Sequence, residues 1–297
     1  MVRLQQLIGS IGLLVEAACA VAVHTERQCG VPAIAPELVD LNIVGGRQAV
    51  PGSWPWHVAL YAKPPDGSAT RLEQGHLCGG ALIDDRTVIT AAHCVVLFFA
   101  TPGKLRVHLG VHRRLARDAD ELFVDVEHIC IYPQYRRGND DDIAIIRLVA
   151  SVPFSDTVSP VCLPDEDDEV RVDSDELYIT GWGFTAAGWD QQHAEVLMQA
   201  RVAYLPKDDC LAMRAQNLNR TICASHDLGS SCHDDSGGPL VLARDGVWQL
   251  QGVVSGGPPL CGLKHWPMYY SEVPKFVSWI AKYRASNTPQ RDAKLCR

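Results

Sequence analysis

Three short fragments carry residue types that work together in nucleophilic catalysis. Ser236 stands in Asp234-Asp235-Ser236-Gly237-Gly238-Pro239. A serine hydroxyl is a weak nucleophile until a neighbouring base takes its proton. The two glycines after it permit a tight turn and leave room for a substrate carbonyl. His93, in Thr90-Ala91-Ala92-His93-Cys94, ends an apolar strand-like run and can supply the base. Asp142 begins another such run, Asp142-Ile143-Ala144-Ile145. A histidine base needs a buried carboxylate to fix its tautomer and stabilise the imidazolium. Each fragment alone has a plainer reading: a glycine turn, a structural histidine beside a cysteine, a charged loop over Asp140 to Asp142. Together they offer a nucleophile, a base and a carboxylate to orient the base.

Such residues must be positioned by a folded frame, and the chain is long enough to build one. It has 297 residues, 47% hydrophobic and 21% charged, which fits one large or two small globular units. The formal net charge of −8 argues against nucleic acid as the main partner. Eleven cysteines at wide spacings, with no CxxC pair, speak for disulfides rather than a zinc framework. The start of the chain agrees with an oxidising compartment. Arg3, the apolar run Leu7 to Ala18, and Ala18-Cys19-Ala20 read as a signal peptide over 1–20. An uncut membrane anchor is the alternative, but the run is shorter than the roughly 20 apolar residues a spanning helix needs. Removing the signal removes Cys19 and leaves ten cysteines, an even number suited to five bridges.

Residues 21–42 show no sustained period and read as an extended segment. From Ile43 onward the pattern is β, with short stretches at His57–Tyr61, Arg86–Ala91, Leu105–Leu109, Leu122–Ile131 and Ile143–Val149. Others follow at Leu177–Gly181, Val196–Tyr204, Pro239–Leu242 and Trp248–Ser255. Many short strands between turn residues mean sandwiches or closed barrels. The acidic stretch Asp165–Glu176 reads as a solvated linker near the middle. Pro274 opens a run with Phe276, Val277, Ile280 and Tyr283 at helical spacing, which predicts a C-terminal helix.

With their flanks, the three fragments resemble the chymotrypsin-like serine protease family. Ile43-Val44-Gly45-Gly46 is similar to its activated N-terminus. Pro51-Gly52-Ser53-Trp54-Pro55-Trp56, Cys78-Gly79-Gly80 and Gly181-Trp182-Gly183 are similar to its structural signatures, and Cys29-Gly30-Val31-Pro32-Ala33-Ile34 to a chymotrypsinogen propeptide. The resemblance covers Cys29 to about Tyr283. It implies an all-β fold: two perpendicular six-stranded antiparallel β-barrels, over 43–162 and 177–273, joined by the acidic linker 163–176 and followed by a helix and tail over 274–297. It implies a propeptide over 21–42 and a secreted serine endopeptidase with His93, Asp142 and Ser236 as its catalytic triad. Its oxyanion hole would be the N–H groups of Asp234 and Ser236. Partners would be protein or peptide substrates and serine protease inhibitors, with a monomer as the working form and no cofactor. A non-catalytic secreted binding protein on the same scaffold is the alternative.

Departures from the family pattern sharpen these expectations. Asp234 stands where the family has glycine. A carboxylate ~5 Å from the oxyanion, at an effective dielectric of about 20, would cost roughly 3 kcal/mol. An outward-facing side chain costs far less, and that is the preferred reading. The resemblance implies that Ser230 lies at the base of the specificity pocket, where trypsin-like members carry aspartate, with Gly257 opening its mouth and Met268 narrowing one wall. An uncharged apolar side chain before the cut is therefore expected. The resemblance implies the disulfides Cys78–Cys94, Cys210–Cys223, Cys232–Cys261 and Cys29–Cys162. Cys130 and Cys296 are left over and are expected to pair, pinning the tail. Leu177 and Leu242 occupy the positions of a missing family bridge and are expected to touch. The family's activating cut would fall at Asn42–Ile43, after which the Ile43 amine would pair with Asp235. His108 and His112 lie four apart on a strand-like run, where that spacing does not converge on one metal ion, and Val111 replaces the acid of the family's calcium loop, so no metal is expected. Asn219-Arg220-Thr221 is a glycosylation acceptor pattern.

Overall fold

Alternation of apolar residues along short segments closes two rings of strands. A computed structural model describes residues 28–38, 46–63, 76–136, 141–171, 175–183, 193–213, 219–225, 235–257, 267–288 and 292–297. After the two-residue β1 (Arg47–Gln48), the first ring contains β2 (His57–Ala62), β3 (His76–Asp84), β4 (Thr87–Thr90), β5 (Leu105–Leu109), β6 (Leu122–Ile131) and β7 (Ala144–Leu148). They close antiparallel in the order β2-β3-β4-β7-β6-β5. In β5, Leu105, Val107 and Leu109 alternate inward and are fully buried.

The second ring contains β8 (Leu177–Gly181), β9 (Met198–Leu205), β10 (Thr221–Ser225), β11 (Pro239–Arg244), β12 (Val247–Gly256) and β13 (Met268–Glu272). The β8–β9 pairing closes it, and β1 adds to β9 as an outer strand. Both rings are six-stranded and antiparallel, as the resemblance implies. Three α-helices are found among the described residues: α1 (Ala92–Val95), α2 (Lys207–Met213) and α3 (Val277–Ala285). A 3₁₀ turn at Val273–Phe276 with Pro274 near its start leads into α3, because a fixed φ and a missing N–H suit a first turn. No helix among the described residues is long and apolar enough to cross a membrane.

The acidic segment between the rings differs from a freely solvated linker. Arg244, on β11, forms ion pairs with Asp168 and, at 2.7 Å, with Asp175, whose side chain is almost fully buried. Arg171 adds a second pair to Asp175 at 2.8 Å. Asp165, Glu166, Asp167, Glu169 and Glu176 are exposed, as the charge content signals, while an arginine more than 60 residues downstream draws Asp168 and Asp175 onto the second barrel.

Leu177 and Leu242 are register partners on β8 and β11, both fully buried. Four disulfides are formed among the described residues: Cys29–Cys162, Cys78–Cys94, Cys130–Cys296 and Cys210–Cys223. Cys232 and Cys261 lie outside the described residues. The Cys130–Cys296 bridge joins β6 to the tail, which also docks through Arg297 N–H to Ile131 O at 3.0 Å and Trp279 Nε1–H to Leu295 O at 2.8 Å. It closes a loop with a sequence separation of 166. Replacing both cysteines by serine is expected to lower unfolding free energy by about 2–5 kcal/mol. A urea midpoint matching the unsubstituted protein would show that the hydrogen bonds alone hold the tail.

Candidate active site

His93 sits in α1, a single turn entered from β4, and Asp142 lies two residues before β7. Strands β4 and β7 are paired, with Thr90 opposite Ala144, so the ladder brings the two together. Asp142, 4% exposed, uses both carboxylate oxygens. Oδ1 accepts the backbone N–H of His93 at 2.8 Å. Oδ2 lies 2.6 Å from His93 Nδ1 and also accepts the Ser255 hydroxyl at 2.8 Å. The Ser271 hydroxyl donates to the Asp142 carbonyl at 2.7 Å. The second barrel thus holds the carboxylate that orients a histidine on the first. Neighbouring Asp141 turns to Arg220 at 3.2 Å, and burial raises its pKa against the pull of that guanidinium.

Ser236 reaches the same place from β11's side. Its carbonyl accepts the Gly79 N–H at 2.8 Å. Gly237 has φ +77°, and a Cβ there would collide with Thr90 Oγ1 and the Gly79 carbonyl. A Cβ on Gly79 would meet Gly238 Cα at 2.9 Å. The turn bearing Ser236 is therefore seated between β3 and the residues leading into His93, with no room for a methyl group. Asp235 is buried, and its Oδ1 accepts the Gly183 N–H at 2.8 Å, close against Gly181.

A family model described as Trypsin matches residues 43–280. The chain belongs to the trypsin family. Coagulation factor XI of Bos taurus is a relative, 33% identical over 262 residues, covering 86% of this chain. The chain spans about 40% of that relative's length.

Of the pocket residues expected for a trypsin-family site, Gly257 and Met268 are brought together. Met268 is 6% exposed and lays its sulfur over Gly257, where a Cβ would collide with it. Ser230, Asp234, Asn42 and Ile43 lie outside the described residues. Asn219 is an exposed turn residue beside β10. His108 and His112 take different partners: His108 Nδ1 lies 2.8 Å from Glu121 Oε1, while His112 Nε2 lies 3.2 Å from Gln48 Nε2. In the loop between them and β6, Asp118 accepts the N–H groups of His112 and Arg113 and the Arg113 guanidinium. Burial opposes its charge, but these bonds outweigh burial and hold its carboxyl below the usual range. Two other His and Cys groupings come within metal-ligand reach, around Cys78–Cys94 and Cys130–Cys296. Both cysteine pairs are disulfides, which removes the thiolates a metal would need.

Sequence reasoning missed Ser255 and Ser271 as supports of Asp142. They lie 113 and 129 residues away, beyond any local pattern. It also missed His57 on β2, whose Nδ1 lies 2.6 Å from Thr180 Oγ1 on β8, tying the two barrels together. Trp182 meets its ring edge-on at 4.8 Å. Burial, with the charge of His76 adding, pushes the His57 pKa down to about 3. The unfolded chain takes up this proton near pH 6.5, whereas the folded chain refuses it until about pH 3. His57 therefore contributes stability that is complete above pH 6.5 and lost as pH falls toward 3, by up to about 1.4 kcal/mol per pH unit. A His57→Gln variant is expected to show a shallower acid limb in unfolding free energy against pH. An unchanged slope would assign the acid loss to other groups.

Proposed function

We propose that the chain is a secreted serine endopeptidase, made as a zymogen, that cuts after uncharged apolar residues. The observation that carries the reading is the Asp142 carboxylate gripping both the ring and the backbone of His93, with the Ser236 turn seated beside it. His93 takes the Ser236 proton on Nε2 as Oγ bonds to the scissile carbonyl carbon. The N–H groups of Asp234 and Ser236 receive the oxyanion. Collapse breaks the C–N bond, and the leaving amine takes the proton from His93. Water then repeats the sequence on the acyl-enzyme, His93 removing its proton and returning one to Ser236. Membership of the trypsin family supports this chemistry, and a relative named as a coagulation factor supports secretion.

Activation would follow cleavage at Asn42–Ile43. The new Ile43 amine would enter the buried site of Asp235, since a buried carboxylate gains most from a partner there. Asn42 offers no cation to a trypsin-like activator, so an asparagine-specific endopeptidase is the fitting enzyme. The Cys29–Cys162 bridge would retain the propeptide. The preferred residue before the cut would be medium aliphatic, such as Leu or Met, because Ser230 offers no counter-charge and Met268 fills space over Gly257.

One experiment tests the catalytic and activation parts of this reading. The purified precursor is treated separately with trypsin and with an asparaginyl endopeptidase, its new N-terminus is sequenced, and it is exposed to a fluorophosphonate probe. The expected result is an Ile43 terminus and a label on Ser236 with the asparaginyl enzyme only. A confirmed Ile43 terminus without label would instead indicate a non-catalytic binding protein.

A further inference from the structure

Away from the cleft, the last turn of α3 meets the outer face of the first barrel and leaves a cavity of about 390 Å³. Its lining includes Arg86 from the β3–β4 turn, Glu127 and His128 from β6, Arg147 from β7, and Tyr283 and Arg284 from α3. Three guanidinium groups from three separate elements converge there. Two of them are neutralised: Arg86 pairs with Glu127 at 2.8 Å, and Arg284 with Asp84 at 2.9 Å. Arg147 is different. It is half-buried, and its hydrogen bond among the described residues is to a neutral group, Thr87 Oγ1, at 3.2 Å.

Two further buried polar atoms in this wall are unused. Tyr283 is 2% exposed, and its buried hydroxyl has no hydrogen-bond partner among the described residues. His128 Nε2 is likewise buried and unpaired, and the two rings lie nearly parallel, 6.2 Å apart. Burial pushes the Tyr283 pKa up to about 12, so the phenol keeps its proton and remains a donor. Among the described residues, a cation without a counter-ion beside an orphaned phenol donor and an orphaned ring nitrogen is a costly arrangement unless something accepts from the guanidinium and the phenol, and from the imidazole in its Nε2–H tautomer. The charges that face the cavity are Arg86, Glu127, Arg147 and Arg284, with Asp84 behind Arg284 and the carbonyl end of α3 below. The balance remains positive by the one charge of Arg147.

We infer that this cavity is a binding site for a small tetrahedral oxyanion, a sulfate or phosphate group, held by Arg147 with Tyr283 and His128. Guanidinium is suited to such a group because its fixed fork can donate two parallel bonds. The volume exceeds what a bare ion needs and falls in the range of small-molecule sites, so the oxyanion can be free or carried on a sugar. The site lies at the far end of the β4–β7 ladder from His93 and Asp142, with Thr87 paired to Arg147. Its occupancy is independent of whether the precursor has been cut.

The test uses the full uncut chain at constant ionic strength, titrated by calorimetry with four probes: sodium sulfate, sodium phosphate, glucosamine 6-sulfate and glucosamine. Saturable binding of at least one oxyanion, with Kd of about 1 mM or tighter, is expected. Arg147→Gln is expected to weaken it at least tenfold. Arg147→Lys, which keeps the charge, should weaken it less, and Tyr283→Phe should weaken it several-fold. Thermal melting without ligand confirms that each variant is folded. Tighter binding of the sugar sulfate than of inorganic sulfate assigns the oxyanion to a glycan, and equal binding assigns it to the free ion. Absence of saturable binding, binding unchanged in folded Arg147→Gln, or equal binding of unsulfated glucosamine would overturn the inference.

Discussion

Asp142→Asn is expected to reduce kcat of the activated protein by about 10⁴-fold while leaving the fold intact. The direction follows from which atom faces which. Asp142 Oδ1 accepts the His93 backbone N–H, so an asparagine must point its carbonyl oxygen there. Its amide nitrogen then faces His93 Nδ1, at the position now 2.6 Å away. Two donors cannot share that contact, so Nδ1 must give up its hydrogen and the proton moves to Nε2. In the proposed mechanism Nε2 receives the Ser236 proton, and it is then already occupied. The Ser255 hydroxyl, which donates to the same oxygen today, has only to rotate and accept. Stability should therefore change little while turnover collapses. A loss of less than tenfold, measured against active-site-titrated enzyme, would mean that Asp142 is a structural support and that another group sets the tautomer.

Met268→Gly is expected to move preference from medium aliphatic toward aromatic residues before the cut. The ratio of kcat/KM for Phe over Leu peptides should rise by about 100-fold, the scale on which a pocket discriminates a few methylene-sized groups. Met268 is nearly fully buried and presses its sulfur against Gly257, so in the proposed pocket its side chain would occupy the volume a longer substrate residue needs. Removing it returns that volume, and the glycine at 257 leaves the path open. Cleavage after Arg or Lys should stay low, because the change adds no negative charge. A peptide-library digest whose Phe-to-Leu ratio is unmoved would place the controlling wall elsewhere.

Much of the site was legible because its three groups sit in short fragments whose flanks are themselves structural. Gly79 and Gly238 stand in such flanks, and the structure supplies their reason, a backbone approach closer than any Cβ allows. Strands such as β5 were legible from alternation. Strand β3, His76–Asp84, was not, because Gly79 and Gly80 erase the period in its middle. Strands β10 and β13 are as short as β5, but Thr221-Ile222-Cys223-Ala224-Ser225 and Met268-Tyr269-Tyr270-Ser271-Glu272 lack its alternation of apolar and polar residues. Helix α2 was hidden by its composition, since Lys207, Asp208 and Asp209 read as loop. Contacts made across the seam, Ser255 and Ser271 to Asp142 or His57 to Thr180, had no local signature at all. They arise from closing two barrels against each other, and only the closed form displays them.

The two terminal bridges also set how the molecule would carry a mechanical load. Pull on the two ends, and tension entering at Cys29 crosses the disulfide to Cys162. It leaves through Cys130, which is bonded to Cys296. The shortest covalent path between the ends is thus the stretch from Cys130 to Cys162, with a contour of about 110 Å when fully drawn out. That stretch contains β7 and Asp142. The whole second barrel, with Ser236, lies off that covalent path and is loaded only through hydrogen bonds such as those of Ser255 and Ser271 to Asp142. Stretching would peel the Asp142 carboxylate away from His93 and from Ser255 before any covalent tension reached the barrel that carries Ser236.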